Sequence, residues 1–172
     1  HMQTLAALYP EADSYERLLW VCRKMQLSEL DSEEIFRRMI FNILANNTDD
    51  HNKNFSFLMD ESGKWSLSPA YDLTYIFNMR GYLPETQHCM MIRGKLSNIT
   101  LEDVMELAKE NGIRRAEKII MEVSATVKDF RSFAEKRGAQ ERWISAIEHT
   151  IQENLESWGL IAHTLTETYT DA

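Results

Sequence analysis

The 172-residue sequence lacks the features that mark several common classes of protein. Its two cysteines, Cys22 and Cys89, lie far apart with no Cys or His at metal-ligand spacing, so neither a disulfide framework nor a zinc site is predicted. The longest apolar runs, such as residues 39–45, are far shorter than the roughly 20 residues of a membrane helix. No charged and then apolar leader opens the sequence. We therefore expect a cytoplasmic protein with no membrane partner.

Positive charge is also scarce, because 19 Lys and Arg residues face 27 Asp and Glu residues, for a net charge of −8. An acidic surface repels phosphate backbones, so direct binding to nucleic acid is not expected. Hydrophobic residues make up 44% of the sequence, which is enough to bury the core of one compact domain.

Glycine is rare, and the six glycines, at positions 63, 81, 94, 112, 138 and 159, are isolated from one another. The chain therefore has no glycine-rich loop of the kind that cradles phosphates. His1 before Met2 is typical of a cloning remnant, which indicates an excised segment whose N-terminal neighbour is missing. We expect residues 3–172 to form a single domain.

Apolar residues recur at helical spacing over most of the chain, which predicts a mainly α fold. One helix is predicted in residues 14–27, and a second follows a capping box at residues 31–34 and ends before Asn46. Thr100 is predicted to cap a helix that Gly112 ends. A long amphipathic stretch follows up to Gly138, and a final helix ends before Gly159. Aromatic residues at helical spacing are predicted to lie in the core: Phe130, Phe133, Trp143 and Trp158.

A short β-hairpin is predicted between the second and third helices. Residues 55–59 and 65–68 are rich in β-forming residues, and the polar segment between them, residues 60–64, contains a glycine suited to a turn. Residues 75–99 are expected to be irregular, with one strand in residues 88–92.

The segment that indicates chemistry is residues 47–54, Asn-Thr-Asp-Asp-His-Asn-Lys-Asn, a loop that follows a buried helix. Asn54 comes five residues after Asp49, and Asp72 follows the second predicted strand. Phosphoryl transfer needs one group for the nucleophile and oxygen ligands for Mg²⁺. The spacing predicts that Asp49 accepts a hydrogen bond from the substrate hydroxyl, which is the nucleophile. Asn54 and Asp72 are predicted to bind the ions that bridge the phosphates of ATP.

The order Thr-Asp-x-His-x-Lys-Asn-Phe-Ser, a hairpin, and Ser-Pro-x-Tyr-Asp-Leu resembles the C-terminal kinase lobe of the HipA family. The resemblance extends over most of the chain and implies a helical bundle with one short hairpin after the catalytic loop. By position in the family motif, Asp49 is the catalytic aspartate, and Asn54 and Asp72 bind magnesium. His51 and Lys53 also match and would support the transferring phosphate. Tyr71 either contacts the nucleotide or is structural.

The resemblance further implies a Ser/Thr kinase that uses ATP and Mg²⁺ and acts as the toxin of a toxin–antitoxin pair. Its implied partners are a DNA-binding antitoxin and a protein substrate from translation, such as an aminoacyl-tRNA synthetase. This chain departs from the family in having neither a glycine-rich loop nor the ATP-contacting Lys of the N-terminal lobe. The lobe was either trimmed away or belongs to a separate chain, and this chain alone should bind ATP poorly.

Three other interpretations fit parts of the sequence. The loop of residues 47–54 has the Asx content of an ordinary solvated turn. A catalytically inactive module would retain the family's loop and dock an antitoxin or the missing lobe. A metal-dependent phosphohydrolase would use Asp49 and Asp72 with water as the acceptor.

Overall fold

The computed structural model of the chain describes residues 13–77 and 84–162. The helices in these residues are α1 (Tyr15–Lys24), α2 (Glu29–Leu44), α3 (Leu101–Glu110), α4 (Ala116–Lys128), α5 (Phe130–Lys136) and α6 (Glu141–Ser157), and the strands are β1 (Phe57–Met59) and β2 (Trp65–Leu67). The predicted class, mainly α with one hairpin, is confirmed. The proposed cloning remnant at residues 1–2 lies outside the described residues. None of the helices within this part of the chain is long and apolar enough to cross a membrane.

Helix α2 lies at the centre of the fold. It packs most extensively against α4 and also contacts α1 and α6. Its fully buried side chains are Ile35, Phe36, Met39, Ile40 and Leu44. Burying each such side chain stabilises the fold by about 1.5–3 kcal/mol, so α2 is a rigid support for the loop that follows it.

The start of α2 differs from the prediction, because the capping box is not at residues 31–34. Ser28 Oγ accepts the Asp31 N–H at 3.2 Å, and the Asp31 carboxylate accepts the Ser28 N–H at 3.0 Å. Asp31 is therefore the third residue of the helix and not its cap. Both pairs of residues fit the capping-box pattern, and exposed Leu30 contributes no apolar signal that would favour the earlier start.

The predicted long helix before Gly138 is two helices, because the chain breaks at Asp129. The Asp129 N–H bonds the carbonyl of Thr126 at 3.2 Å, three residues back instead of the helical four, and α5 starts at the next residue. One consequence is that Phe133 is 53% exposed, so its predicted place in the core is wrong. Trp158 is buried as predicted.

Residues 88–92 do not form the predicted strand. Backbone pairing there is limited to isolated bridges, Ser14 with Met91 and Ile92 with Lys95. The segment crosses the end of α1 instead of extending a sheet, and Met90 and Ile92 are fully buried. Apolar content at alternate positions therefore reflected burial and not sheet pairing.

The hairpin is antiparallel, with Phe57 opposite Leu67 and Met59 opposite Trp65. Two contacts join its second strand to α2. The Leu67 N–H donates to Asp31 Oδ1 at 3.0 Å, and Arg38 Nη2 donates to the carbonyl of Ser68 at 2.8 Å. These contacts set the direction in which the chain leaves the hairpin towards residue 72.

Candidate active site

The loop of residues 47–54 leaves α2 through a Schellman motif. Asn46 adopts a left-handed conformation with φ +56°, and its N–H bonds the carbonyl of Ile43. The Asn47 N–H bonds the carbonyl of Asn42 at 2.9 Å, and Asn154 of α6 donates a further hydrogen bond to Ile43 at 3.2 Å. These bonds satisfy carbonyls that a helix end leaves free, so the loop starts from a fixed point.

The loop is not the solvated turn that its composition allows. Asn47, Thr48, Asp50 and Asn52 are buried, with at most 7% of their surface exposed. Asp49 is an exposed carboxylate of this loop, with 51% of its side chain exposed, and Lys53 is also exposed. A buried polar loop that presents one carboxylate to solvent is the arrangement expected of a site that acts on an external group.

Two side chains lie close to the Asp49 carboxylate. His51 Nε2 is 3.8 Å from Asp49 Oδ1, and the Cys89 thiol donates to the same oxygen at 3.7 Å. Burial, followed by the negative charges of Asp49 and Asp50, raises the pKa of Cys89 to about 11. The thiol is therefore protonated near neutral pH and is a poor nucleophile.

Asn54 ends a turn of 3₁₀ helix, Asn52–Asn54, and its side chain folds back over the start of the loop. Its amide Nδ2 donates to the backbone carbonyl of Asp49 at 3.0 Å. Because a carbonyl oxygen only accepts, this bond fixes which end of the Asn54 amide is nitrogen. Within the described residues no donor bonds Asn54 Oδ1, so this oxygen is available to a ligand.

Tyr71 joins the chain after the hairpin to the end of the loop. Its hydroxyl donates to the carbonyl of Lys53 at 2.6 Å and is 2.5 Å from Ser56 Oγ. Since the single Tyr71 proton is used on Lys53, Ser56 is the donor of the second bond. Tyr71 thus tethers the chain after the hairpin to the end of the loop, and its contact with a nucleotide stays a prediction. Lys53 is exposed on the same turn.

A second tether lies a few residues after Tyr71. The Ile76 N–H donates to the carbonyl of Asn46 at 3.1 Å, and Asn46 Nδ2 donates to the carbonyl of Ile76 at 3.1 Å. Asp72 is therefore bracketed between two anchors, one at each end of the loop.

Asp72 has φ +55°, a left-handed conformation that costs a non-glycine residue of order 1 kcal/mol. Such strain persists only where surrounding contacts impose it, as the two tethers do here. The carboxylate is exposed, and it has no hydrogen bond or ion pair within the described residues. It is thus available to an external cation.

These oxygen atoms fit magnesium in its usual setting, in which one or two protein ligands bind it and phosphates and water complete the octahedron. Asn54 Oδ1 and the Asp72 carboxylate supply such ligands. Among residues 13–77 and 84–162, no three His, Cys, Asp or Glu side chains are grouped to hold a metal ion. Binding of Mg²⁺ by these two residues stays a prediction.

Asp50, which was not singled out from the sequence, is fully buried beside Asp49. Its Oδ2 accepts from the Tyr15 hydroxyl at 2.8 Å and contacts His88 Nδ1 at 3.0 Å. Its Oδ1 accepts the N–H groups of Cys89 at 2.9 Å and Met90 at 3.3 Å. No local pattern could have indicated this carboxylate, because its partners lie 35 to 40 residues away in the chain.

The buried network extends from Asp50 into α2. Asn42 Nδ2 donates to the Tyr15 hydroxyl at 2.9 Å, and Asn47 Nδ2 donates to Asn42 Oδ1 at 2.9 Å. Burial and the charge of Asp50 raise the pKa of Tyr15 well above its usual value, so its hydroxyl stays a donor. Two nearby atoms, Thr48 Oγ1 and His51 Nδ1, are buried with no partner in the part of the chain that the structure describes.

The described residues thus define a helical domain in which a hairpin brings a strained, exposed aspartate beside a polar loop. The sequence matches the model of the HipA-like C-terminal domain over residues 1–153, and the chain belongs to this family. No curated protein sequence matches it.

Among solved structures, the chain is similar to HipA in a complex of the Shewanella oneidensis MR-1 toxin–antitoxin system, HipA, HipB and operator DNA. The TM-score is 0.62 at 23% sequence identity, over 86% of this chain and 35% of that chain. This likeness shows a shared fold. The chain spans about a third of the length of that neighbour.

Proposed function

We propose that this chain is the C-terminal lobe of a protein Ser/Thr kinase that acts as the toxin of a toxin–antitoxin pair. The observation that carries the proposal is the bracketing of Asp72 by Tyr71 on Lys53 and by Ile76 on Asn46. It ties the chain on both sides of Asp72 to the loop that carries the exposed Asp49 carboxylate, which supports a shared site for Asp49, Asn54 and Asp72. Family membership supports the same assignment.

In the proposed reaction, Asp49 accepts a hydrogen bond from a substrate Ser or Thr hydroxyl and takes its proton as the hydroxyl oxygen bonds to the γ-phosphorus of ATP. The bond from that phosphorus to the β–γ bridging oxygen breaks, and ADP leaves. Asn54 Oδ1 and Asp72 would hold Mg²⁺, which when bound neutralises charge on the phosphate oxygens. His51, 3.8 Å from Asp49, would donate towards the transferring group, and Lys53 lies on the same turn. In-line positioning and charge neutralisation are the main requirements of this chemistry.

The remaining half of the ATP site would come from an N-terminal lobe, either on the same natural chain or on a separate one. Two observations support this: the chain has no clustered glycines, and it covers only 35% of the HipA chain that it resembles. That HipA chain was solved with HipB and DNA, which supports an antitoxin as a partner of this protein in the cytoplasm. With a charge of −8, this lobe itself would not contact DNA. The substrate would be a translation component such as an aminoacyl-tRNA synthetase.

The test is transfer of labelled γ-phosphate from ATP by the protein in its full natural length, together with any separately encoded N-terminal lobe. A panel of aminoacyl-tRNA synthetases serves as acceptors. We expect Asp49→Asn and Asp72→Asn each to lower the rate by about 10²–10⁴-fold, because they remove proton acceptance and a metal ligand. Asp60→Asn, the same change in the hairpin turn, should leave the rate unaltered.

Wild-type rates in both site variants would contradict the proposal. Two other results would identify the alternative functions. Release of inorganic phosphate without a phosphoprotein would indicate a phosphohydrolase. Binding of an antitoxin without any turnover would indicate a docking module.

A further inference from the structure

We propose that Asp50 is a positioning residue, whose buried carboxylate fixes the backbone that aims Asp49 at the substrate hydroxyl. This inference rests on the proposed kinase function and adds a residue to it. Asp50 would touch neither ATP nor the acceptor, since it is fully buried.

The orientation of Asp49 depends on its backbone. Its side chain is half exposed, and its contacts with His51 at 3.8 Å and with the Cys89 thiol at 3.7 Å are too long to hold it firmly. Its carbonyl, in contrast, receives the Asn54 amide at 3.0 Å. Whatever fixes the peptide between residues 49 and 50 therefore sets where the Asp49 carboxylate points.

Asp50 fixes that peptide from two independent directions. Tyr15 approaches from α1, and the backbone N–H groups of Cys89 and Met90 approach from a segment that crosses α1. The Cys89 N–H is also 3.0 Å from the carbonyl of Thr48, so the same segment holds the loop on both sides of Asp49.

Stability alone does not account for a carboxylate at this position. Burying a charge carries a large desolvation penalty, and an apolar side chain of similar size fills such space at lower cost. What the carboxylate adds is direction, because its two oxygens accept from donors at defined angles. Several hydrogen bonds block rotation of the Asp50 side chain, and they therefore also restrict the backbone of the preceding residue, Asp49.

Asp50→Asn tests the role with little change of shape. Asn keeps Oδ1 for Cys89 and Met90 but presents an NH₂ group to Tyr15 and His88, so the Oδ2 bonds are lost or reversed. In the phosphate-transfer assay we expect kcat to fall by about 10- to 100-fold, the scale of a small misplacement of a reacting group. KM for ATP should stay within about two-fold, because the magnesium ligands are not altered.

Two controls separate positioning from general damage. Asp60→Asn makes the same chemical change in a carboxylate that caps its own turn, and it should leave kcat unaltered. Ile144→Ala removes a buried side chain of α6, and it should lower the melting temperature without lowering kcat at a temperature where it is folded. A kcat for Asp50→Asn within two-fold of wild type, or one that only follows its loss of stability, would overturn the proposal.

Amide hydrogen exchange provides a readout that does not need activity. We expect Asp50→Asn to speed exchange locally, in residues 48–54 and 88–90, with exchange in α4 unchanged. Uniform acceleration across the helices, or no local change, would sink the inference even if the protein transferred no phosphate. If Asp49→Asn keeps full activity while the local exchange effect is present, the kinase proposal fails and the anchoring role of Asp50 stands.

Discussion

Two polar segments of this chain, the hairpin turn of residues 60–64 and the loop of residues 47–54, have similar composition but opposite environments. In the turn, Asp60 Oδ1 accepts the N–H groups of Ser62 at 2.9 Å and Lys64 at 3.0 Å, and every residue is exposed. The hydrogen bonds from Ser62 and Lys64 lower the pKa of Asp60 below its ordinary value. Asp60 thus bonds only groups of its own turn.

The loop uses its polar groups on distant parts of the chain. Asp50 bonds residues 35 to 40 positions away, and Asn52 Nδ2 donates to Asp13 Oδ1 at 2.7 Å across a separation of 39 residues. Asp49 is left exposed in the middle of these anchors. Long-range anchoring around an open carboxylate therefore distinguishes a candidate site from an ordinary turn, and Asx content does not.

The largest expected effect concerns how each segment is attached to the core. Phe55, the first residue after the loop, is 2% exposed and packs edge to face on Tyr15 with ring centroids 5.9 Å apart. Phe55→Ala should lower the free energy of unfolding by about 3–5 kcal/mol, as expected for loss of a buried aromatic ring. Leu58→Ala, at a 54% exposed site of the hairpin, should change it by less than about 0.5 kcal/mol.

Urea unfolding followed by circular dichroism measures both values. Equal losses in the two variants would show that the hairpin is as tightly integrated as the loop. The contrast between the segments would then be wrong.

Local sequence signals predicted what is periodic in this fold and missed what depends on distant contacts. Helical spacing located most helices, Thr100 was recognised as a cap, and the hairpin followed from β-forming residues around a glycine. The break at Asp129 went unpredicted because the apolar period continues across it. Phe133 was placed in the core for the same reason.

At the candidate site, too, the order of residues along the chain was predicted and the contacts between distant residues were not. The sequence order of Asp49, Asn54 and Asp72 was readable because it follows one motif, and the roles predicted for these residues await the transfer assay. The contacts that anchor the loop, Tyr71 on Lys53 and the bonds to Asp50, join residues 18 to 40 positions apart in partner sets that no spacing rule encodes. Such contacts become visible only when the chain is folded.

The dependence of stability on pH provides a second, smaller test of the contrast between local and long-range hydrogen bonds. It uses the Asp31 carboxylate, which joins α2 to β2. Burial raises the pKa of Asp31, but hydrogen bonds from Ser28 and from the N–H of Leu67 outweigh it and leave the pKa below the ordinary value of 3.8. A lowered pKa in the folded state stabilises the protein above the unfolded pKa, and this stabilisation is lost as the pH falls through the folded value. Asp31→Asn should therefore cost about 1 kcal/mol at pH 7 and converge with wild type below about pH 3.

Melting temperatures between pH 7 and pH 2.5 measure this convergence. Asp60→Asn is the comparison, since Asp60 holds only its own turn, and it should shift the curve less at every pH. A constant offset between Asp31→Asn and wild type down to the lowest pH would show that the cap does not depend on the Asp31 charge.

The smallest expected effect reports directly on the open carboxylate of the loop. Burial, then Asp49 and Asp50, raise the pKa of the exposed Cys89 thiol to about 11. Asp49→Asn removes one of these charges, so the thiolate fraction at pH 8 should increase and alkylation of Cys89 should become about two- to five-fold faster. Cys22 is an internal control, because it is buried with a pKa raised to about 12 and should not react in the native protein. Mass spectrometry of the alkylated chain separates the two thiols, and Asp60→Asn should not alter either rate.

An unchanged Cys89 rate in Asp49→Asn would mean that the Asp49 and Cys89 side chains are not neighbours. The geometry assigned to the loop would then fail at the residue on which the proposed reaction depends.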